Sequence, residues 1–341
     1  MSKALLYILV CFSVIMAGCS RHAYEPEVPN IGLDMDMAQT KALITPGNLN
    51  TAGSRFVVYD VHQKENGLDQ YMDDQYLEYR DAQWSFTETE GGKIIQIPWT
   101  KKGVHNFFAY NTYDAAASKA LPVTVGYTSF EDNQSYTAKQ QYLQIPSSGD
   151  WTLTKENQFD FIYASATRDV ATGGYAPVPM SFKHLFAAVT VEVKNISTSS
   201  LTLNSLSFSK LNTSGKASAD FQGNVNYTLA GAAGTELYKE TPSTAIDIGQ
   251  SLALYGSYGN GGAFLIWPHS ASDLVNATIE LEYKQGNTTT KASVKLAENA
   301  TIKTWAAGNK YIYKVDISDN TISFDVIRVV EWINDDIILE E

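Results

Sequence analysis

Cysteine is almost absent from this chain of 341 residues, which contains only Cys11 and Cys19. Because both lie within the first twenty residues, the remainder has no pair of thiols from which to build a disulfide. The fold must therefore be stabilised by burial of apolar side chains. A chain of this length usually divides into two domains.

Positive charge is also scarce, since 25 Lys and Arg stand against 37 Asp and Glu, for a net charge of −12. An acidic chain without a basic block is not expected to bind nucleic acid or to adhere to anionic lipid headgroups. Beyond the first twenty residues there is no apolar run long enough to span a bilayer. We therefore expect membrane contact only at the start of the chain.

The sequence also lacks the motifs of known catalytic and metal sites. The five histidines, none spaced as zinc ligands, are His22, His62, His105, His184 and His269. We expect His184 to be a packed structural residue. Acidic groups at Asp69, Asp73-Asp74 and Asp335-Asp336 lack the calcium-loop pattern, which favours solvated acidic loops. We predict no enzyme, cofactor or metal site, although a sugar-hydrolysing acid pair stays an alternative.

The first twenty residues have the pattern of a lipoprotein signal peptide. Lys3 precedes an apolar run from Ala4 to Met16, and small residues lead into Cys19. We predict a signal peptide over 1–18 and acyl chains on Cys19, which would hold the protein on a membrane. The alternative is an ordinary secretory signal in which Cys19 is incidental.

The segment after Cys19 changes from a tether to strands. Residues 19–30 are polar and contain Pro26 and Pro29, which predicts an extended tether. Apolar and small or acidic residues then alternate with period two, which predicts a strand. Its apolar members are Ile31, Leu33, Met35 and Met37. An irregular link over 39–54 follows, and a second, strongly apolar strand is predicted over 55–61.

The rest of the chain predicts β structure throughout. Aromatic, Thr, Ser and Val residues are frequent, and short apolar segments are separated by turn residues. The stretch 163–179, with two glycines and two prolines, predicts a linker. We therefore divide the chain into an N-terminal domain over 31–175 and a C-terminal domain over 176–341, which the segment 180–193 with its alternating valines opens. The predicted fold is all-β, with two tandem β-sandwiches of about seven strands each.

Several segments, in their order along the chain, resemble the fimbrillin family, the two-domain lipoprotein pilins of the Bacteroidia that build type V pili. The matching pieces are the lipobox ending at Cys19, Thr40-Lys41-Ala42, Asp160–Ala164, Met180–Ala187, Ala263–Pro268, Trp305–Tyr313 and Val329–Trp332. The W-x-x-G-x-x-Y-x-Y pattern of Trp305–Tyr313 is the most specific of them. The resemblance implies transthyretin-like, Greek-key sandwiches and an outer-membrane, cell-surface location.

The resemblance also implies a polymerisation mechanism. A trypsin-like protease would cut after Lys41 or Arg55 in the link, and the strand within 31–38 would be lost. A strand from the next subunit would then fill the open groove. The candidate donor lies within 321–341, and its apolar residues are Ile322, Phe324, Val326, Val330 and Trp332. The alternative is that this segment is simply the last strand of the second sandwich.

We therefore expect a structural pilus subunit without catalytic activity, serving adhesion. Its partners would be other copies or related pilin subunits, the outer membrane through acyl chains such as palmitate on Cys19, and a host or bacterial surface ligand. The alternative is a surface lipoprotein that does not polymerise, either a pilus tip or anchor or a glycan- or host-ligand-binding module. Its candidate contact residues are Trp84, Trp99, Trp151 and Tyr255.

Overall fold

The computed structural model describes residues 28–37, 49–65, 67–100, 102–128, 141–220, 222–231, 233–254, 263–298, 303–319 and 321–331, with backbone alone at 37, 141, 298 and 324–331. The strands, in chain order, are β1 (Leu33–Met37), β2 (Arg55–Lys64), β3 (Gly67–Arg80), β4 (Gln83–Thr87), β5 (Val104–Asp114), β6 (Lys119–Ala120), β7 (Gly126–Tyr127), β8 (Gln141–Ile145), β9 (Trp151–Thr152), β10 (Ile162–Asp169), β11 (Val178–His184), β12 (Ala187–Asn195), β13 (Leu201–Ser209), β14 (Ser214–Asp220), β15 (Val225–Ala230), β16 (Leu237–Glu240), β17 (Thr244–Ile246), β18 (Ser251–Leu254), β19 (Phe264–Ile266), β20 (Thr278–Gln285), β21 (Thr288–Lys295), β22 (Asn309–Ile317) and β23 (Ile322–Glu331).

Helical structure among the described residues is short. It consists of α1 (Val170–Gly173), α2 (Ala271–Leu274) and a 3₁₀ turn over Leu296–Glu298. None of these helices has the length and apolar character needed to cross a membrane. The all-β prediction is therefore confirmed.

The strands form four sheets. The first has the order β1-β11-β10-β5-β2-β3-β4, with β6 on β5. The second has the order β15-β14-β8-β7, with β9 on β14. The third is β18-β12-β22-β23 with β19 on β12, and the fourth is β16-β13-β20-β21 with β17 on β13. Most neighbours are antiparallel, but β1 runs parallel to β11 and β12 runs parallel to β22.

Three apolar cores lie on these sheets. The first sheet has a core on each face, because alternate residues of β2 point to opposite sides. Phe56 and Val58 enter one core, and Val57 and Tyr59 enter the other. This second core also receives residues of the second sheet, such as Ala217. The remaining core lies between the third and fourth sheets.

The predicted division near residue 176 is crossed by strand pairing. Strand β11, which was expected to open the second domain together with β12, instead pairs with β10 and β1 of the first sheet. Strand β14 returns to pair with β8. The segment 180–193 thus contains parts of two strands that belong to different sheets. The chain changes sheets at Leu185 and Phe186, which are both fully buried.

The stretch 163–179 joins two strands of the same sheet. It contains most of β10, the single turn of α1 and the first residues of β11. The guanidinium of Arg168 donates hydrogen bonds to the carbonyls of Gly173 and Pro177, each over 3.0 Å, and so folds the connection back on itself. Glycine and proline mark tight turns as readily as linkers, which explains why the pattern suggested a boundary here.

The acidic group Asp69, Asp73 and Asp74 lies on strand β3 and not in a loop as predicted. Strand β3 pairs with β2, but the register shifts twice near Asp60. Such bulges interrupt the alternation of buried and exposed residues along a strand. The buried residues Leu68 and Met72 therefore do not form the regular period-two pattern from which a strand is predicted. The prediction for His184 is confirmed, since its buried Nδ1 lies 2.7 Å from Asp160 Oδ1.

An aromatic cluster joins the first two sheets to the start of the second half of the chain. The ring of Phe186 lies edge-on to Trp151 and Trp267, with centroid distances of 5.0 Å to each. The indole of Trp267 donates to the carbonyl of Trp151 over 2.9 Å. Gly215 on β14 lies directly beneath this indole, so that an added Cβ would be 3.0 Å from Trp267 Cδ2 and from Thr228 O.

We predict that Gly215→Ala lowers the free energy of unfolding by about 1–3 kcal/mol, because the methyl group overpacks a site closed by backbone and an indole. Chemical denaturation followed by tryptophan fluorescence measures the change. The matched control is Lys216→Ala at the exposed neighbouring position, for which a change within about 0.5 kcal/mol is expected. Equal stability of the two variants would contradict the packing argument.

Candidate functional site

The N-terminal segment Val28–Met37 lies between two walls of backbone. On one side β1 pairs with β11, from Leu33 opposite Val178 to Met37 opposite Phe182. On the other side, the amide of Ile31 donates to the carbonyl of Ile97 over 2.7 Å. We call the space between β11 and residues 94–99 that this segment fills the N-terminal slot.

The second wall of the slot is itself tied to the far edge of the first sheet. The amide of Ile95 donates to the carbonyl of Phe86 on β4 over 2.9 Å, and Thr87 and Ile94 form a bridge. The amide of Trp99 donates to the carbonyl of Pro29 over 3.0 Å. The N-terminal segment therefore connects β11 at one end of the strand order with β4 at the other. It closes the first sheet into a ring.

Side chains of the N-terminal segment complete the core inside this ring. Ile31 and Met35 are 5% and 7% exposed, and they pack in one cluster with Met180 and Phe182 of β11. Leu33 is half-buried, whereas Asp34 and Asp36 are exposed. The alternation predicted from the sequence is thus confirmed for Ile31–Asp36. The side chain of Met37 is outside the described residues.

The two candidate cleavage residues have different positions. Lys41 lies outside the described residues. Arg55 is the first residue of β2, and its backbone is paired with both β3 and β5. Its guanidinium forms ion pairs with Glu78 and Glu90 and lies 4.8 Å from the ring centre of Tyr113. A protease must bind an extended accessible chain, so Arg55 is a poor substrate in the folded state.

The described part of the candidate donor segment forms β23, an edge strand of the third sheet paired antiparallel with β22. The partially buried Ile322 packs against the core between the third and fourth sheets. The register shifts after Val326. Tyr313 lies opposite Val326 and Tyr311 lies opposite Val329, whereas Val330 lies opposite Lys310. The bulge explains why Arg328 interrupts the apolar pattern. Trp332 lies outside the described residues.

A buried polar network supports the second wall of the slot. His105 Nδ1 lies 2.5 Å from Asp60 Oδ2, and its Nε2 lies 2.7 Å from Thr100 Oγ1. The ring of His62 stacks on His105 at 4.5 Å and its Nε2 lies 2.7 Å from the carbonyl of Lys102. These contacts hold Thr100, Lys102 and His105 directly after the slot wall.

The same network resembles a nucleophile–His–Asp chain but faces inward. The side chains of His105 and Asp60 have no exposed surface, so neither group can meet a substrate. The ring of Trp99 lies edge-on to His105 at 5.2 Å, which connects the network to the slot. Burial raises the pKa of Asp60 to about 6, against an opposing effect of the hydrogen bond from His105.

The aromatic residues that the ligand-binding alternative requires are mostly not available at the surface. Trp99 and Trp151 are 3% and 2% exposed. Trp84 is half-buried against the core of the ring and donates to Asn50 Oδ1 over 2.9 Å. Tyr255 lies outside the described residues. Within the part of the chain that the structure describes, no three acidic, His or Cys side chains converge as a metal site requires.

The sheets and the slot define an all-β protein of β-sandwich architecture, in which the chain's own N-terminal strand completes the first sheet. The model of a family described as fimbrillin-like matches residues 40–332, and the chain belongs to that family. It is therefore a pilus-related adhesion subunit of the cell surface in the broad sense of the family. No curated protein matches the chain.

Solved structures support the fold. A fimbrial protein from Bacteroides vulgatus is 14% identical, with 89% of this chain and 99% of that chain covered and a TM-score of 0.51. A protein from Bacteroides ovatus, described in terms of cell adhesion, is 15% identical, with 92% and 100% covered and a TM-score of 0.51. At such identities the likeness shows a shared fold.

We predict that Met35→Ala lowers the free energy of unfolding by about 2–5 kcal/mol, because it removes buried contacts inside the ring. The matched control is Asp34→Ala, the exposed neighbour on the same strand, for which little change is expected. Denaturant titration measures both variants. A Met35→Ala variant as stable as the control would show that β1 contributes little to the core.

The raised pKa of Asp60 predicts a pH dependence of stability. The folded pKa of about 6 exceeds the ordinary 3.8, so folding favours the protonated carboxyl. This contribution to stability is fully present below about pH 4 and is lost as pH rises through about 6. Between about pH 7.5 and pH 5 the wild type should gain stability relative to Asp60→Asn. Denaturation curves across this range test the prediction, and a constant difference would contradict it.

Proposed function

We propose that the chain is a structural pilus subunit that polymerises by strand exchange at the N-terminal slot. The observation that carries this proposal is the closure of the first sheet by Val28–Met37. When this segment leaves, it uncovers an apolar groove around Met180 and Phe182 together with unpaired backbone groups on two walls. A strand from another subunit satisfies both at once, which makes the resulting joint strong.

Export and anchoring would precede this step. The apolar run ending at Cys19 supports cleavage before that cysteine and its acylation, with transfer to the outer membrane. Two or three acyl chains hold a protein stably on a membrane, since each buried CH₂ contributes roughly 0.8 kcal/mol. The tether over 19–30 then leads directly into the slot.

Removal of the N-terminal strand would follow a cut after Lys41 by a trypsin-like protease. Arg55 is disfavoured, because its side chain is engaged with Glu78 and Glu90 and its backbone is paired on both sides. The residues before it are also held, since Leu49 is 2% exposed and the amide of Gly53 donates to the carbonyl of Tyr79. A cut at 41 leaves this packed part of the chain intact.

The donor in this mechanism would be the C-terminal segment, with Ile322, Phe324 and Val326 as its apolar residues. As an edge strand, β23 can leave without separating β22 from β12, which pair from Ala188 opposite Lys310 to Asn195 opposite Ile317. The intact pairing of β23 with β22 also favours a second candidate function. A subunit that keeps β23 in its own sheet would accept a strand but donate none, as a non-polymerising tip or anchor protein.

We predict that Lys41→Gln abolishes processing in the native cell, whereas Arg55→Gln leaves it unchanged. N-terminal sequencing of the surface protein identifies the cut, and SDS-resistant ladders report the polymer. Deletion of residues 320–341 should remove the ladders while the cut persists. Normal ladders from the Lys41→Gln variant, or ladders lost only with Arg55→Gln, would contradict the assignment. A processed chain that stays monomeric would favour the tip or anchor function.

A further inference from the structure

The two ends of the chain carry the same short pattern. Residues 31–35 read Ile-Gly-Leu-Asp-Met, and residues 322–326 read Ile-Ser-Phe-Asp-Val. We propose that Ile322–Val326 of a second copy of this chain occupies the N-terminal slot in the register of Ile31–Met35, parallel to β11. This inference rests on the proposed function and specifies the register of the joint.

The apolar positions of the two segments match the burial pattern of the slot. In this register Ile322 replaces Ile31, which is 5% exposed, and Val326 replaces Met35, which is 7% exposed. Phe324 would take the place of Leu33, which is only half-buried, so part of the larger ring would lie at the surface. Asp325 takes the exposed position of Asp34.

The glycine position is the critical test of fit, because Ser323 would bring a Cβ where Gly32 has none. A Cβ built on Gly32 lies 3.5 Å from Pro177 Cγ and 3.8 Å from Pro177 Cα, which are ordinary van der Waals distances. The backbone of Gly32 does not have a positive φ. The slot therefore accepts serine at this point without strain.

The backbone groups of the donor can replace those of the N-terminal segment. The amide of Ile31 donates to the carbonyl of Ile97, and the carbonyl of Gly32 accepts from Val178 over 2.9 Å. Ile322 is not proline, so its amide can donate to the carbonyl of Ile97, and the carbonyl of Ser323 can accept from the amide of Val178. The proposed match covers five residues in each segment, and the next residue of the donor, Ile327, falls at the exposed position of Asp36.

The first test uses the full chain with residues 40–46 replaced by the recognition sequence of a site-specific protease, so that native processing is not required. The cut chain is unfolded and refolded with an excess of a labelled peptide of sequence 321–330. We expect the peptide to bind stoichiometrically in place of the N-terminal fragment. A refolded chain that retains its own fragment and takes no peptide would overturn the inference.

Two peptide variants test which face is buried, since a shift of one residue exchanges the faces of a strand. Val326→Asp places a carboxylate at the buried Met35 position, so we expect binding to weaken more than about 100-fold. Ile327→Asp places the same residue at the exposed Asp36 position, and we expect affinity within about threefold of the parent peptide. The reverse order, or an equal effect of both substitutions, would overturn the register.

Cysteine pairs test a shift of two residues. Asp34 lies opposite Pro179 and Asp36 opposite Ser181. A peptide with Asp325→Cys should therefore form a disulfide with the Pro179→Cys chain in preference to the Ser181→Cys chain. The chain without an introduced cysteine is the control for Cys11 and Cys19. Preferential capture by Ser181→Cys would overturn the register.

The outcomes separate this inference from the proposed function. Ladders in the native cell without peptide binding would overturn the register while strand exchange through another segment stands. Peptide binding in the expected register, from a chain that is never cut or polymerised in the cell, would support the fit of the slot and overturn the proposed function.

Discussion

The structure depends on one short stretch of backbone that is paired on both of its sides. Val28–Met37 joins β11 to residues 94–99, and those residues continue the pairing to β4. The first sheet consequently has no open end between these strands. Ile31 and Met35 add apolar contacts at the same place, so hydrogen bonding and core packing are gained or lost together.

The ring is held in shape from both faces. Its inner core contains Phe56 and Phe182, and its outer face packs against the second sheet through residues such as Tyr59 and Ala217. The buried pair of Asp60 and His105 fixes the approach to the slot wall from within the sheet. A groove opened by loss of β1 would therefore be bordered by a framework that retains most of its own contacts, which favours capture of another strand over collapse.

The local parts of this architecture could be predicted from the sequence, but its non-local parts could not. Alternation over Ile31–Met37 and the apolar run after Arg55 predicted β1 and β2 because each pattern is contained in one strand. Strand β3 was missed because bulges near Asp60 break its periodicity. The return of β14 to β8 leaves no local signal, since pairing partners are far apart in sequence. The polar network had one visible signal, an aspartate within the apolar run Phe56–Val61, whose partner His105 only the fold reveals.

The closing segment has a second consequence when its position in the chain is considered. Under the proposed acylation, Val28–Met37 and Cys19 belong to the same covalent piece once the link is cut. From that moment no covalent bond connects the membrane to the body of the subunit, which is retained only by the hydrogen bonds and buried side chains of the slot. Release of the subunit from the membrane and opening of the first sheet would then occur at the same rate, which is the rate at which Val28–Met37 dissociates from the slot. Under the proposed mechanism, dissociation of this strand would release the subunit from the membrane and open its groove to a neighbouring subunit in the same event.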